Sequence, residues 1–178
     1  MSRKYEQLID RMNACYKSSV ACYPFTVEDH FDGDTDLQDA LAVSTYPPKN
    51  WNEIVPMVYR AGFYRVLGRD PGSYLVYSYG HSWKSSFDEN ISIAISRPDT
   101  AGYRDIEELE RDAKILESLG YDKVTIFSIM LFIQTHGEKG LKSYLNLLSE
   151  SREGAITVQY SPLVSYSRVS LSLIDRLL

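Results

Sequence analysis

A chain of 178 residues, 44% hydrophobic and 24% charged, has the size and composition of one ordinary globular domain, and we predict that residues 1–178 form a single α/β domain. The net charge of −5 argues against general binding of nucleic acid, which needs a dense basic surface. Two cysteines, Cys15 and Cys22, are too few for the disulfide framework of a small secreted protein.

Targeting and membrane signals are weak in this sequence. The amino-terminal residues are charged and lack the apolar stretch that follows them in a signal peptide. The most apolar stretch, residues 124–133, is shorter than the ~20 residues that a helix needs to cross a bilayer. We therefore expect a cytoplasmic protein that does not associate with a membrane.

The amino-terminal half is predicted to alternate between helices and short strands. Apolar residues three and four positions apart predict a helix over residues 3–16, and capping residues predict helices near 36–43 and 50–62. Pro56 should kink the last of these or begin a new helix, and Gly62 should end it. Branched and aromatic residues predict strands at residues 20–25, 63–67, 74–79 and 91–96.

The clearest unit is a strand, a helix and a second strand over residues 91–128. Asp105 and Glu108 should cap the amino terminus of the helix, and Gly120 should end it. A buried strand at 124–128 follows. A helix of ordinary length between two strands is typical of parallel pairing, since parallel strands need a long crossover.

The carboxyl-terminal part is less regular. A helix is predicted at about 130–149, with an interruption near Gly137 and Gly140, and a last strand at 155–160. Residues 164–178 fit two patterns, and we favour a helix because of their length and their position after a strand. The apolar face of that helix would carry Tyr166, Val169, Leu173, Ile174 and Leu177.

These elements predict an α/β fold in which about five to six strands form a mostly parallel sheet, covered by helices on both faces. A complete (βα)₈ barrel typically needs about 250 residues, so the chain is too short for one. A reduced or partial (βα) barrel is the alternative prediction.

Polar side chains follow several of the predicted strands. They are Arg69 and Asp70 after 63–67, Tyr79 and His81 at the end of 74–79, Arg97 and Asp99 after 91–96, and Ser128 after 124–127. Parallel strands end at one edge of a sheet, and α/β proteins bind their ligands at that edge. We therefore expect these side chains to converge on one site.

The ligand of this site would be anionic. The guanidinium groups of Arg69 and Arg97 suit a carboxylate or a phosphate, and Tyr79 and Ser128 would contribute hydroxyl groups.

Three further residues are candidates for catalysis at the same edge. His81, beside Asp70 or Asp99, would act as a general acid or base near neutral pH. The alternative is that these residues are ordinary polar loop residues, since loops that leave strands are polar in most proteins.

Metal and cofactor signals are weak. The acidic residues between 28 and 36 do not have the spacing of a calcium-binding EF-hand, because the glycine comes too early and the twelfth position counted from Asp32 is Val43. Caps and a solvated loop explain them better, and no metal site is predicted. Glycine-rich nucleotide-binding loops are missing from the sequence, so no cofactor is identified.

Two functions from different classes fit these observations. The first is a small-ligand-binding domain, and possibly an enzyme, that acts on the anionic molecule at the strand ends. The second is a non-catalytic interaction module, because 14 tyrosines suit interfaces and an apolar chain end needs a partner surface. With this second function, the protein would form homo-oligomers through Leu173, Ile174, Leu177 and Leu178.

Overall fold

The structure is a computed structural model that describes residues 3–41, 51–87, 90–95, 103–149 and 156–178. Helices predominate over strands in these residues. The helices are α1 (Arg3–Cys15), α2 (Val27–Asp32), α3 (Asp36–Ala40), α4 (Arg60–Leu67), α5 (Ser73–Ser86), α6 (Ile106–Ser118), α7 (Ile129–Ser149) and α8 (Pro162–Asp175). The strands are β1 (Ser19–Cys22), β2 (Glu53–Pro56), β3 (Ile93–Ile95) and β4 (Val124–Ile126).

The described strands form two short parallel sheets. β1 pairs with β2, with Cys22 opposite Pro56, and β3 pairs with β4, with Ile95 opposite Ile126. Isolated parallel bridges link β2 to β3, where the Val58 amide donates to the Ala94 carbonyl at 2.9 Å. The four strands therefore lie side by side in chain order, and their carboxyl ends meet at one edge.

The prediction of a parallel sheet of five to six strands is wrong, because the described residues form only two two-stranded sheets. Residues 63–67 lie in α4 and residues 74–79 lie in α5, so neither segment is a strand. Residues 156–160 are irregular. The described strands do not close into a barrel either, since β1 and β4 are the outer members of the row.

Helical burial explains why α5 is not a strand. Its buried residues recur at helical spacing on one face: Leu75, Val76, Tyr79, Gly80 and Trp83. The tyrosines at 74 and 77 favour a strand by propensity alone. Strand propensity depends on context, and the burial of one helical face outweighs it here.

A second error concerns the segment around Pro56. This proline is the last residue of β2, where the sequence predicts a kinked helix, and the helix begins only at Arg60. α4 then ends at Gly68, whose φ of 71° is left-handed, and not at Gly62. The apolar run from Ile54 to Val58 therefore belongs to a partly buried strand and the turn after it. Over so few residues, hydrophobic periodicity cannot distinguish a strand from a helix.

The strand–helix–strand order predicted over residues 91–128 is confirmed by β3, α6 and β4, while residues 96–102 lie outside the described part of the chain. The Asp105 carboxylate accepts a hydrogen bond from the Glu108 amide at 2.9 Å and caps α6, and β3 and β4 are parallel. The interruption of α7 is also confirmed, since Gly137 has φ 70° and ψ 171°, a conformation suited to glycine. The helical interpretation of the carboxyl-terminal residues is confirmed by α8.

The core accounts for part of the tyrosine excess. Tyr79, Tyr103, Tyr121 and Tyr144 are all buried. The Tyr121 hydroxyl donates to the Gly80 carbonyl at 2.8 Å, so a buried polar tip is satisfied there. Within the described residues, no helix has both the length and the apolar character needed to cross a membrane.

Candidate functional site

A cavity of about 770 Å³ opens at the carboxyl ends of the strands. The residues that follow three strands contribute to its wall: Tyr23 after β1, Met57 after β2 and Phe127 after β4. The pairing of β1 with β2 brings the first two together, because the Met57 amide donates to the Cys22 carbonyl at 2.9 Å. The parallel strand order thus places the cavity where α/β proteins commonly bind ligands.

The wall of the cavity is mainly aromatic and aliphatic. Two pairs of rings stack along it, with Tyr23 and Phe25 5.1 Å apart and Tyr59 and Phe127 6.2 Å apart between centroids. Helices α4, α7 and α8 complete the wall with Phe63, Val66, Leu67, Leu131, Leu171 and Ile174.

The polar groups of the cavity are few. α8 contributes Ser167 and Ser170, whose hydroxyls donate to the carbonyls of Val164 at 2.8 Å and Tyr166 at 2.9 Å. Each serine oxygen keeps the capacity to accept a hydrogen bond from a ligand. The described residues of the wall include no charged side chain.

A cluster of charged side chains lies beside this cavity, around the first residue of α4. Arg60 is buried, and its Nε donates to Asp70 Oδ1 at 3.0 Å while Nη2 contacts the other oxygen. Its guanidinium lies 3.5 Å from Glu108 Oε2 and 3.5 Å from Asp112 Oδ2. The Tyr103 ring covers it, with its centroid 5.0 Å from Arg60 Cζ.

The ionisation of this cluster follows from its burial. Burial raises the pKa of the Asp112 carboxyl despite the nearby guanidinium of Arg60. Burial also acts on Asp70, but the hydrogen bonds from Arg60 and from the Gly72 amide outweigh it and lower the pKa of Asp70. The cluster joins α4 to α6 and to the loop before α5, so it organises the helices next to the cavity.

The predicted site residues fall in different places. Asp70 belongs to the Arg60 cluster, and Arg69 lies next to it on an exposed loop. His81 is exposed on α5, with its ring 6.1 Å from that of Tyr77. Arg97 and Asp99 lie outside the described residues.

Tyr79 and Ser128 lie nearer to the cavity. The Tyr79 ring is buried between Arg168, whose Cζ lies 4.6 Å from its centroid, and the cavity residue Phe63 at 5.6 Å. Ser128 lies between β4 and α7, and its hydroxyl accepts from the Leu131 amide at 3.5 Å. The predicted set is dispersed because residues 63–67 and 74–79 are helices, so Asp70 and His81 do not follow strands.

The aromatic wall of the cavity is not predicted from the polar residues at the strand ends. Tyr23 and Phe127 come directly after β1 and β4, as the edge rule requires. Ring side chains at the strand ends are the signal in the sequence that indicates this wall. The carboxylates of Asp29, Asp34, Asp36 and Asp175 form a second group, outside the cavity wall, which could hold a metal ion.

No protein-family model, no curated protein and no solved structure matches this chain. The fold defines it as a mostly helical α/β protein with small parallel sheets. Inferences about its function therefore depend on the geometry of its own residues.

Proposed function

We propose that this protein binds a neutral, largely apolar small molecule in the cavity at the strand ends. The observation that carries this proposal is the size of the cavity, about 770 Å³, together with its aromatic and aliphatic wall. Small-molecule sites commonly measure about 300–1,000 Å³ and combine an apolar wall with a few polar groups.

The wall favours a ligand with a flat ring. The faces of Tyr59 and Phe127 can stack on such a ring, and the hydroxyls of Ser167 and Ser170 can accept a hydrogen bond from it. A charged ligand would lose its hydration without gaining an ion pair from the described wall, which is unfavourable. The anionic ligand predicted from Arg69 and Arg97 would need a different surface and stays a prediction.

Binding fits this cavity better than catalysis. A serine nucleophile needs a base such as histidine, lysine or a carboxylate beside it, and the hydroxyls of Ser167 and Ser170 instead donate to backbone carbonyls, with no such base among the described wall residues. The catalytic roles predicted for His81, Asp70 and Asp99 therefore belong to a separate hypothesis. The cytoplasmic location also stays a prediction from the sequence.

The test fills the cavity with a side chain of the protein itself. A Cβ at Gly62, in the wall, meets no atom within 4 Å, so Gly62→Phe begins its side chain in open space and is expected to place its ring in the cavity. Wild type should bind Nile red, a neutral dye that fluoresces in apolar surroundings, and Gly62→Phe should bind it at least about tenfold more weakly.

The matched control is Ser143→Phe, which adds the same ring to an exposed position of α7 outside the wall. Its dye affinity should equal that of wild type. Equal dye binding by wild type and Gly62→Phe would contradict the proposal. A thermal-shift screen of neutral ring compounds on wild type then identifies the ligand class, since a ligand that binds only the folded state raises the melting temperature.

Self-association is a second candidate function, supported by one feature of α8. Tyr166, Val169 and Leu173 of α8, and Leu177 in the turn that follows it, recur every three or four positions, and each is more than half exposed. Such a stripe is self-complementary, so two copies of the helix could bury it against each other. This proposal makes the protein a homodimer through α8.

Sedimentation velocity tests the homodimer. Wild type should sediment as a dimer and Val169→Lys as a monomer, because a lysine on the stripe would face its own copy across the twofold axis. Ser143→Lys, with the same charge on α7, should remain dimeric. A wild-type protein that stays monomeric at the highest attainable concentration would contradict this second proposal.

A further inference from the structure

Four aspartates converge where α8 meets the amino-terminal helices. Asp29 is in α2, Asp36 begins α3, Asp34 lies between them, and Asp175 is the last residue of α8. One carboxylate oxygen from each lies within 4.8 Å of the others. Asp175, near the carboxyl end of the sequence, thus lies beside three aspartates from the amino-terminal part.

Asp175 is the buried member of this group with an oxygen that lacks a hydrogen-bond donor among the described residues. The residue is 2% exposed, and its Oδ1 is buried with no hydrogen-bond donor in the described structure. The groups that act on it are the carboxyls of Asp32 and Asp29, and an ionised carboxylate can only accept hydrogen bonds.

A buried, unpaired carboxylate among other carboxylates is strongly destabilising unless a positive charge lies between them. A proton shared between two carboxylates neutralises one negative charge. A divalent cation neutralises two, and it binds the same carboxylate oxygens as ligands.

We propose that Asp29, Asp34, Asp36 and Asp175 bind a calcium ion. The ligand set favours calcium over magnesium. Ca²⁺ takes about six to eight oxygen ligands in a flexible geometry and binds carboxylates with one or both oxygens, whereas Mg²⁺ needs near-ideal octahedral geometry and usually keeps several waters, with only one or two carboxylates.

The protein holds two of the ligands in place. Asp29 is buried, and its two oxygens accept from the amides of Leu37 at 3.1 Å and Gln38 at 3.2 Å, which leaves lone pairs for an ion. Asp34 is exposed and accepts from the Asp36 amide at 3.3 Å. The exposed side gives an ion and its water ligands a path to the group.

The ion would join α8 to α2 and α3. Ile174, next to Asp175, is part of the cavity wall, so a bound ion would also fix that wall. The calcium site does not depend on the proposed ligand of the cavity, and each can fail without the other.

The experiment is isothermal titration calorimetry of the full chain with CaCl₂, after EDTA has removed divalent ions. Melting temperatures are measured separately in Ca²⁺ and in EDTA. Wild type should bind one Ca²⁺ and melt at a higher temperature with it. Asp175→Asn should weaken Ca²⁺ binding by about tenfold or more, because the affinity of calcium sites follows the number of charged ligands. In EDTA the same variant should melt at or above the wild-type temperature, because it removes repulsion.

Asp39→Asn is the matched control, since it removes one exposed carboxylate from α3 outside the group. Its Ca²⁺ affinity should equal that of wild type. Wild type that binds no Ca²⁺ at millimolar concentration would overturn the proposal. Equal affinities of wild type and Asp175→Asn, or tighter binding of Mg²⁺ than of Ca²⁺, would overturn it as well.

Discussion

Arg168 in α8 and Glu28 in α2 form an ion pair, with 2.7 Å between Nη2 and Oε1, across 140 residues of sequence. Nη1 of the same arginine donates to the carbonyl and the hydroxyl of Ser78, both at 2.9 Å, and its guanidinium covers the Tyr79 ring. One side chain thus connects α8 to two other helices. It faces inward with Val164 and Asp175, while the apolar stripe of α8 faces outward.

Removal of this arginine should destabilise the protein. We expect Arg168→Met to lower the free energy of unfolding by about 3 kcal/mol, because it leaves the largely buried Glu28 carboxylate without its partner. Urea denaturation measures the change, and the double variant Arg168→Met, Glu28→Gln should recover part of it. Lys123→Met, which breaks a more exposed pair with Glu53, should cost less than about 1 kcal/mol. Equal losses in the two single variants would contradict the role given to Arg168.

The ion pair between Arg60 and Asp70 should make stability depend on pH. The pKa of Asp70 is lowered in the folded state, so its contribution is present above the ordinary pKa of 3.8 and is lost as the pH falls through the lower folded value. At pH 7, Asp70→Asn should lower the free energy of unfolding by about 1–3 kcal/mol. The difference between wild type and variant, measured by urea denaturation, should shrink below pH 4. A difference that stays constant down to pH 2 would contradict the ion pair, and the exposed Asp122→Asn is the control.

Local signals in the sequence predict the fold only where local interactions determine it. α6 is predicted with its cap and its parallel strands because Asp105, Glu108 and the buried stripe all lie within one segment. α5 is mistaken for a strand because its tyrosines have strand propensity, while its packing against α6 depends on residues far along the chain.

The candidate sites show the same limit. The edge rule points to the end of the strands where the apolar cavity lies, but the placement of Asp70 and His81 after strands depends on two strands that the structure shows to be helices. Asp175 is 139 positions beyond Asp36, so no linear motif can join the two carboxylates. The inward face of α8 combines Val164 with the charged side chains of Arg168 and Asp175, whereas periodicity alone assigns the apolar stripe to the interior.

The two cysteines should differ in reactivity. Cys15 is exposed, whereas Cys22 is buried at the end of β1. Burial raises the pKa of the Cys22 thiol to about 12, even though a hydrogen bond with Thr26 lowers it slightly. Only the thiolate reacts with disulfide reagents, so at pH 8 Cys22 should stay protected. A chromogenic disulfide reagent should titrate one thiol in the native protein and a second after unfolding. In the folded Cys15→Ser variant, no thiol should react rapidly with the reagent. A rapid reaction in that variant would show that Cys22 is accessible.

Two helical glycines offer a matched test of packing. A Cβ at Gly80 would lie 2.9 Å from Leu116 Cδ2 and 3.1 Å from Leu119 Cδ1, so Gly80→Ala should force α5 away from α6 or displace both leucines. We expect a loss of about 1–3 kcal/mol, the usual cost of overpacking a core. Gly62→Ala meets no atom within 4 Å and should stabilise the protein by about 0.4–1 kcal/mol, because alanine restricts the unfolded chain. Thermal and urea unfolding of both variants give the two values. Stabilisation by Gly80→Ala would show that α5 and α6 are less closely packed than this contact requires.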